Sequence, residues 1–363
     1  MYREMDPSEL ASRLGTDRAP VVLDVREPDE FAAWAIPGAR NIPLGRLPAE
    51  VGTLAGLGEV VTVCGSGRRS AQAAEIVSAA GVTTANLVGG MEAWGRTYDE
   101  VTWTRGDLRV VQVRRRGKGC LSYMVGAGDS CIVVDPTADV DVYLRLADEH
   151  GWRVTRILET HLHADHLSGG RALRAATGAT LHLNPVDPFA FEFEPLSDGE
   201  RFELSGGGAL VARAVHAPGH TRGSTVYLVD DRLLLSGDTL FVESVGRPDL
   251  ADQAEAFAHD LYATLHDKLL TLGDDVLVLP GHYGDSVEVH PDRLVAATLG
   301  ELRHSLVPLA YDEDTFVAWA AGHAAVRPPN YEEIVLANMG AAAPALDTLR
   351  PLETGPNRCA VSV

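Results

Sequence analysis

Residues 160–166 read Thr-His-Leu-His-Ala-Asp-His, which puts three imidazoles and a carboxylate into one short stretch. A first-row metal ion takes donors of this kind, and a single loop can supply several of them. Further donors follow in order: His220 in His216-Ala-Pro-Gly-His-Thr221, Asp238 in Ser236-Gly-Asp-Thr239, and His282 in Pro280-Gly-His-Tyr283. A different chemistry is offered by Cys64-Gly-Ser-Gly-Arg-Arg-Ser70. If the cysteine ends a strand and the glycine-containing turn opens a helix, backbone N–H groups and a helix N-terminus aim at the sulfur. A thiolate or persulfide is then stabilised as an anion, so the pKa should fall and nucleophilicity at neutral pH should rise.

These residues need elements to hold them. The apolar run Val154 to Leu158 precedes the histidine loop and reads as a buried strand, so the donors would stand at a strand's carboxyl end, the usual place for a site on a layered α/β fold. Over the first hundred residues short apolar strands (Val21–Val25, Val60–Cys64) alternate with helical patterns such as Ser70–Ala80, the mark of a parallel sheet covered by helices. Residues 97–107 have no sustained periodicity and are expected as a linker. Beyond it come strand-like runs near 108–115, 121–126 and 130–134, helices near 139–150 and 168–177, and strands over 209–215, 225–229 and 232–236. Domains are therefore expected at 1–100 and 108–340, with a tail over 341–363.

Bulk properties narrow the partners. The 363 residues accommodate two cores, and 51 acidic against 31 basic side chains give a formal charge of −20. Such a surface repels phosphate backbones and anionic lipid, so neither nucleic acid nor a membrane is expected as a partner. No run of about 18 apolar residues occurs, and Met-Tyr-Arg-Glu-Met-Asp-Pro lacks the apolar core of a secretory signal. A cytoplasmic location is expected. The four cysteines, Cys64, Cys120, Cys131 and Cys359, show no Cys-x-x-Cys spacing and suit a reducing compartment. Cys120 and Cys131 are expected as buried small hydrophobes. A homodimer is an open expectation.

The Cys64 loop resembles that of the rhodanese sulfurtransferases, of the form Cys-x-x-Gly-x-Arg. Asp24-Val-Arg-Glu27, Ile36-Pro-Gly-Ala39 leading to Asn41-Ile-Pro43, and Val88-Gly-Gly-Met-Glu-Ala-Trp94 extend the resemblance to about residue 100. Ala35 departs from it, since relatives often carry histidine there. The resemblance implies that Cys64 carries a sulfane sulfur as a persulfide. Arg69 matches the motif arginine, and Arg68 is a candidate for binding an anionic donor such as thiosulfate.

The ordered set from His161 to His282 resembles the metallo-β-lactamase superfamily over roughly residues 108 to 340, which implies a four-layer αββα sandwich. Two chemistries fit the same residues. In a dinuclear zinc thioester hydrolase of the glyoxalase II branch, His161, His163 and His220 hold one ion, Asp165, His166 and His282 the other, and Asp238 bridges. In the persulfide dioxygenase branch one Fe(II) is held by His161, His220 and Asp238, a two-histidine, one-carboxylate facial triad with positions left for O2 and a persulfide sulfur. His163, Asp165, His166 and His282 then orient ligands. Asp238-Thr-Leu-Phe with Val245-Gly-Arg-Pro-Asp-Leu250, Gly119-Cys-Leu-Ser-Tyr-Met-Val125 and Arg327-Pro-Pro-Asn330 resemble bacterial persulfide dioxygenases. A sulfur-handling domain also shares its substrate with an enzyme that oxidises persulfides.

The resemblances thus imply a rhodanese domain ahead of an Fe(II)-dependent persulfide dioxygenase that yields sulfite and thiol. Its partners would be a small thiol persulfide, thiosulfate or sulfite, and O2. Arg247 is a candidate for the carrier's carboxylate or phosphate, with an ion pair to Asp249 as its alternative, and Tyr283 is a further substrate-binding candidate. The rivals are the two-zinc hydrolase with a rhodanese appendage and a non-oxidative sulfur relay.

Overall fold

A computed structural model describes residues 1–204, 211–248, 253–323, 330–341, 346–353, 355 and 359–361. Five parallel strands, β1 (Arg3–Met5), β2 (Val21–Asp24), β3 (Arg40–Asn41), β4 (Val60–Val63) and β5 (Thr84–Leu87), form the first sheet in the order β1-β5-β4-β2-β3. Successive side chains point to opposite faces. Val61 and Val63 pack with Met5, Leu10 and Trp94 on one side, while Val60 and Cys64 pack with Leu23, Ala73 and Val77 on the other.

The second sheet orders β12-β11-β10-β9-β8-β7-β6 from β6 (Tyr98–Arg105), β7 (Leu108–Arg115), β8 (Cys120–Ala127), β9 (Ser130–Val134), β10 (Arg153–Leu158), β11 (Thr180–Leu183) and β12 (Glu194–Pro195). The third orders β13 (Arg201–Glu203), β14 (Val211–His216), β15 (Thr225–Val229), β16 (Leu233–Gly237), β17 (Leu277–Pro280) and β18 (Ala297–Thr298). Strand alternation builds the layers. Tyr123, Val125, Tyr227 and Val229 fill the space between the two sheets. Met124 and Cys131 face the helices Asp141–His150 and Gly170–Thr177, and Val226 and Leu228 face the helices Ala254–Ala263 and Glu313–Gly322. This is the expected αββα sandwich.

One expectation is corrected. The linker at 97–107 is instead the strand β6, paired with β7 in unbroken register from Tyr98↔Arg115 to Arg105↔Leu108. Its pattern is masked because an edge strand with one wet face carries Asp99, Glu100, Thr102 and Thr104 beside Val101 and Trp103. Where it is described, the 341–363 tail packs against the second domain. Glu353 is buried and pairs with Arg115 at 2.7 Å, and the Val361 amide bonds to the Val245 carbonyl. The two domains meet through Trp34 Nε1 donating to the Gly117 carbonyl at 2.9 Å and Arg115 Nε donating to that of Gly95 at 2.7 Å.

Candidate metal centre and sulfur-transfer loop

Parallel pairing gathers the donors. β9 and β10 run parallel, so Asp135 and the 159–166 loop emerge at the same end. β16 and β17 do so too, which sets Asp238 beside His282. Glycine permits the approach: at Gly237 (φ +50°) a Cβ would stand 2.5 Å from Thr160 Oγ1, and at Gly281 it would stand 2.7 Å from Asp238 Oδ1.

His161, His220 and Asp238 converge. His161 Nε2 and His220 Nε2 lie 3.7 and 3.5 Å from Asp238 Oδ2, all three residues are buried, and none of these three atoms has a hydrogen-bond partner. Three orphaned polar atoms aimed at one point are costly unless a cation satisfies them. The other end of each group is held. Thr160 Oγ1 donates to Asp135 Oδ2 (2.8 Å) and so accepts from His161 Nδ1 (2.9 Å), while His220 Nδ1 donates to the Arg247 carbonyl (3.0 Å). His282 Nδ1 donates to Asp238 Oδ1 at 2.6 Å. These bonds assign the tautomers that leave Nε2 of His161 and His220 as lone-pair donors. Burial lowers both imidazole pKa values, so the neutral ligand form prevails.

His163 behaves differently. Its Nε2 lies 3.0 Å from Glu159 Oε2 and 3.3 Å from Asp135 Oδ1, and these carboxylates raise its pKa well above the usual value against the cost of burial. Asp165, His166 and His282 gather in a neighbouring cluster that also contains Cys120. Asp165 there lifts His166 to about 9 despite burial. Cys120 is buried as expected, but it stands among polar groups: burial raises its pKa, His166 and His282 outweigh that, and the thiol falls to about 7.

Arg247 is fully buried, and its backbone carbonyl anchors His220. Asp249 and Arg327 lie outside the described residues. Tyr283 packs between the sheets and borders a cavity of about 300 Å3 with Trp94 and Arg116 on the side facing the first domain. A larger groove of about 710 Å3 opens against His220, lined by Leu162, Val186, Arg222, Phe257, Tyr331 and Leu336 among others. Asp135, Glu159, Cys359 and Asn338 were not anticipated from the sequence. Asp135 and Glu159 directly follow apolar strands, a signal that could have marked them. Asn338 and Cys359 carried none.

In the first domain Cys64 is buried one residue past β4, ahead of the helix Arg68–Ala79, whose N-cap Gly67 has φ +90°. Burial raises the thiol pKa, but the Ser70 hydroxyl (3.4 Å) and the backbone N–H groups of Ser70, Ser66 and Gly67 outweigh it and leave the pKa lowered. Arg69 pairs in a two-pronged contact with Glu30, 2.7 Å on each prong, and its guanidinium also reaches the Cys64 sulfur. That contact holds the Glu30 carboxyl down at about 2. Arg68 is exposed.

Residues 115–282 match the Metallo-beta-lactamase superfamily, and residues 6–97 match the Rhodanese-like domain. An uncharacterized protein of Mycobacterium leprae is 31% identical over 204 residues, which span 48% of this chain and 90% of that protein. The chain belongs to the metallo-beta-lactamase superfamily. A rhodanese-like domain precedes its metallo-beta-lactamase domain. The crystal structure of ETHE1 from Myxococcus xanthus superposes with a TM-score of 0.57 at 26% identity, over 64% of this chain and 98% of that one. A hydroxyacylglutathione hydrolase of Anaeromyxobacter dehalogenans is 41% identical over 149 residues, 40% of this chain and 56% of that enzyme. The metallo-beta-lactamase domain thus carries the buried His and Asp donors of a metal centre.

Proposed function

We propose that the chain is a persulfide dioxygenase with a sulfurtransferase domain. The observation that carries this reading is the convergence of His161 Nε2, His220 Nε2 and Asp238 Oδ2, each buried without a hydrogen-bond partner. These two histidines and one carboxylate are the donor set of non-haem iron oxygenases, while His163, whose Nε2 is engaged by Glu159 and Asp135, keeps a buried Nδ1 without a partner, the donor that the rival zinc centre would use. Asp238 offers Oδ2 to this set while His282 occupies Oδ1, which favours one ion over a bridged pair. The end-to-end coverage of ETHE1, against about half of the hydroxyacylglutathione hydrolase, supports the same side.

His161, His220 and Asp238 would hold Fe(II), which would supply the binding of O2 and of the persulfide sulfur. The protein's own groups orient these ligands through Thr160, the Arg247 carbonyl and His282, and the groove beside His220 receives the thiol carrier. Overall, persulfide, O2 and water give thiol, sulfite and two protons. In the rhodanese-like domain the Cys64 thiolate attacks the outer sulfur of thiosulfate, the sulfur–sulfur bond breaks, and sulfite leaves with the electron pair. Cys64 then holds a persulfide that passes to a thiol, or the sequence runs in reverse. The rival zinc thioester hydrolase is favoured by the local 41% identity. Oxygen uptake with a synthetic thiol persulfide, beside metal analysis of the same preparation, tests the choice. One iron per chain with persulfide-dependent uptake is expected; two zinc ions and hydrolysis of a thioester would reject the reading.

A further inference from the structure

Asp187 stands on the loop that leaves β11, buried and outside every donor set named above. Its two carboxylate oxygens face different loops. Oδ2 accepts from the Leu162 amide at 3.2 Å, and Leu162 lies between His161 and His163 in the loop that follows β10. Oδ1 accepts from the Gly223 amide at 3.1 Å, just past His220 in the connection from β14 to β15. The Thr221 hydroxyl reaches Oδ2 at 3.5 Å. β10 belongs to the second sheet, and β14 and β15 belong to the third. One carboxylate therefore spans the two layers at the point where each delivers a histidine to the convergent set.

We infer that Asp187 is a positioning residue of the metal centre, which fixes the His161 loop against the His220 loop and so sets where the two imidazoles stand around the cation.

The neighbouring residues support this. At Gly223 a Cβ would stand 2.4 Å from Asp187 Cγ and Oδ2 and 2.8 Å from Oδ1, so its three nearest atoms would all belong to that carboxyl group. Gly223 does not adopt a positive φ, so the carboxyl group rather than the backbone excludes a side chain there. Asp187 is itself held, because its amide donates to the Asn184 carbonyl at 3.3 Å and Asn184 Nδ2 donates to Thr225 Oγ1 at 3.1 Å. A carboxylate suits the task where an amide would not. Both backbone partners are donors, and asparagine would turn its own NH2 group toward one of them. Leu162 and Gly223 are buried, and buried amides without an acceptor are costly, which keeps the two loops on either side of Asp187. The inference goes beyond the reaction proposed above and holds whichever metal or substrate the centre takes.

The experiment is a double-mutant cycle on the full chain, stripped of metal and titrated with Co(II), read by affinity and by the visible absorption of the bound cobalt. Asp187→Ala, Asp187→Asn and Gly223→Ala should each weaken Co(II) binding by about 10- to 100-fold, the scale for residues that orient metal ligands. At saturation their cobalt d–d bands should differ from those of the wild type, because the imidazoles stand differently. Gly223→Ala added to Asp187→Ala should cost no further affinity, since the group its methyl would meet is gone, whereas independent changes add. Asp187→Asn keeps the shape and reads the same effect if the alanine variant does not fold. A carboxylate that only stabilised the fold would lower the melting temperature of the metal-free chain and leave the saturated cobalt spectrum as it is. Unchanged d–d bands, affinities within about twofold of the wild type, or a double variant whose losses add would each overturn the assignment.

Discussion

Asn338 donates from one side-chain nitrogen to the backbone carbonyl of His166 at 2.8 Å and to that of His163 at 2.9 Å, while its Oδ1 accepts from the Ser168 amide at 2.9 Å. The helix Tyr331–Asn338 therefore clamps the loop that carries the metal-site histidines, from a point more than 170 residues away in sequence. The same helix lines the groove beside His220 through Tyr331, Val335 and Leu336.

Removing the clamp should loosen the loop. Asn338→Ala leaves buried carbonyls unsatisfied, a loss of about 1–3 kcal/mol for each group, and Asn338→Asp should fare little better because it keeps the shape without the donors. Both are expected to retain less metal after dialysis and to melt earlier. Full metal retention and an unchanged melting temperature would show that the loop holds itself.

Ligand substitution separates the two groups of donors. His161→Ala, His220→Ala and Asp238→Ala should each strip iron and abolish persulfide-dependent oxygen uptake. Asp165→Ala and His282→Ala should keep iron and lose roughly 10- to 100-fold in rate, the usual scale for groups that orient ligands. Iron loss from Asp165→Ala as complete as from His161→Ala would return the dinuclear arrangement to the lead.

Cys64→Ser should eliminate sulfur transfer from thiosulfate while sparing iron content and oxygen uptake with added persulfide, since no residue of the first domain belongs to the metal set. The pH dependence follows from the lowered Cys64 pKa. The thiolate is present above that pKa and is lost as pH falls through it, so transfer should remain active at pH values where an ordinary thiol is protonated. Ser70→Ala removes the hydroxyl donor and should shift the acidic limb of the profile upward. An alkylation profile of Cys64 that does not move would exclude Ser70 from this role.

Glu353 and Arg115 are each 4% exposed by side chain, and Glu353 also accepts from the Leu167 amide at 2.9 Å. Glu353→Ala leaves a buried guanidinium unpaired and should destabilise the chain by roughly 3–5 kcal/mol. Truncation after residue 341 should cost at least as much. Denaturant unfolding of both variants measures it, and a truncated chain as stable as the whole would mean that the terminal segment only rests on the surface.

Local patterns were enough to single out two candidate loops. The spacing in Thr160–His166 and in Cys64–Ser70, each at the end of an apolar run, marked them and the two domains that carry them, because donor type, glycine position and strand period are properties of a few neighbouring residues. The αββα layering came from resemblance, and the second and third sheets bear it out. Tertiary structure alone decided what each imidazole does. His161 and His163 are two residues apart and chemically identical, yet His161 is left with a free Nε2 by Thr160, whereas His163 lies between Glu159 and Asp135. Asn338, Cys359 and Glu353 were invisible for the same physical reason. Hydrogen bonds and burial that join residues more than a hundred positions apart depend on how strands and helices pack, and no local period records them.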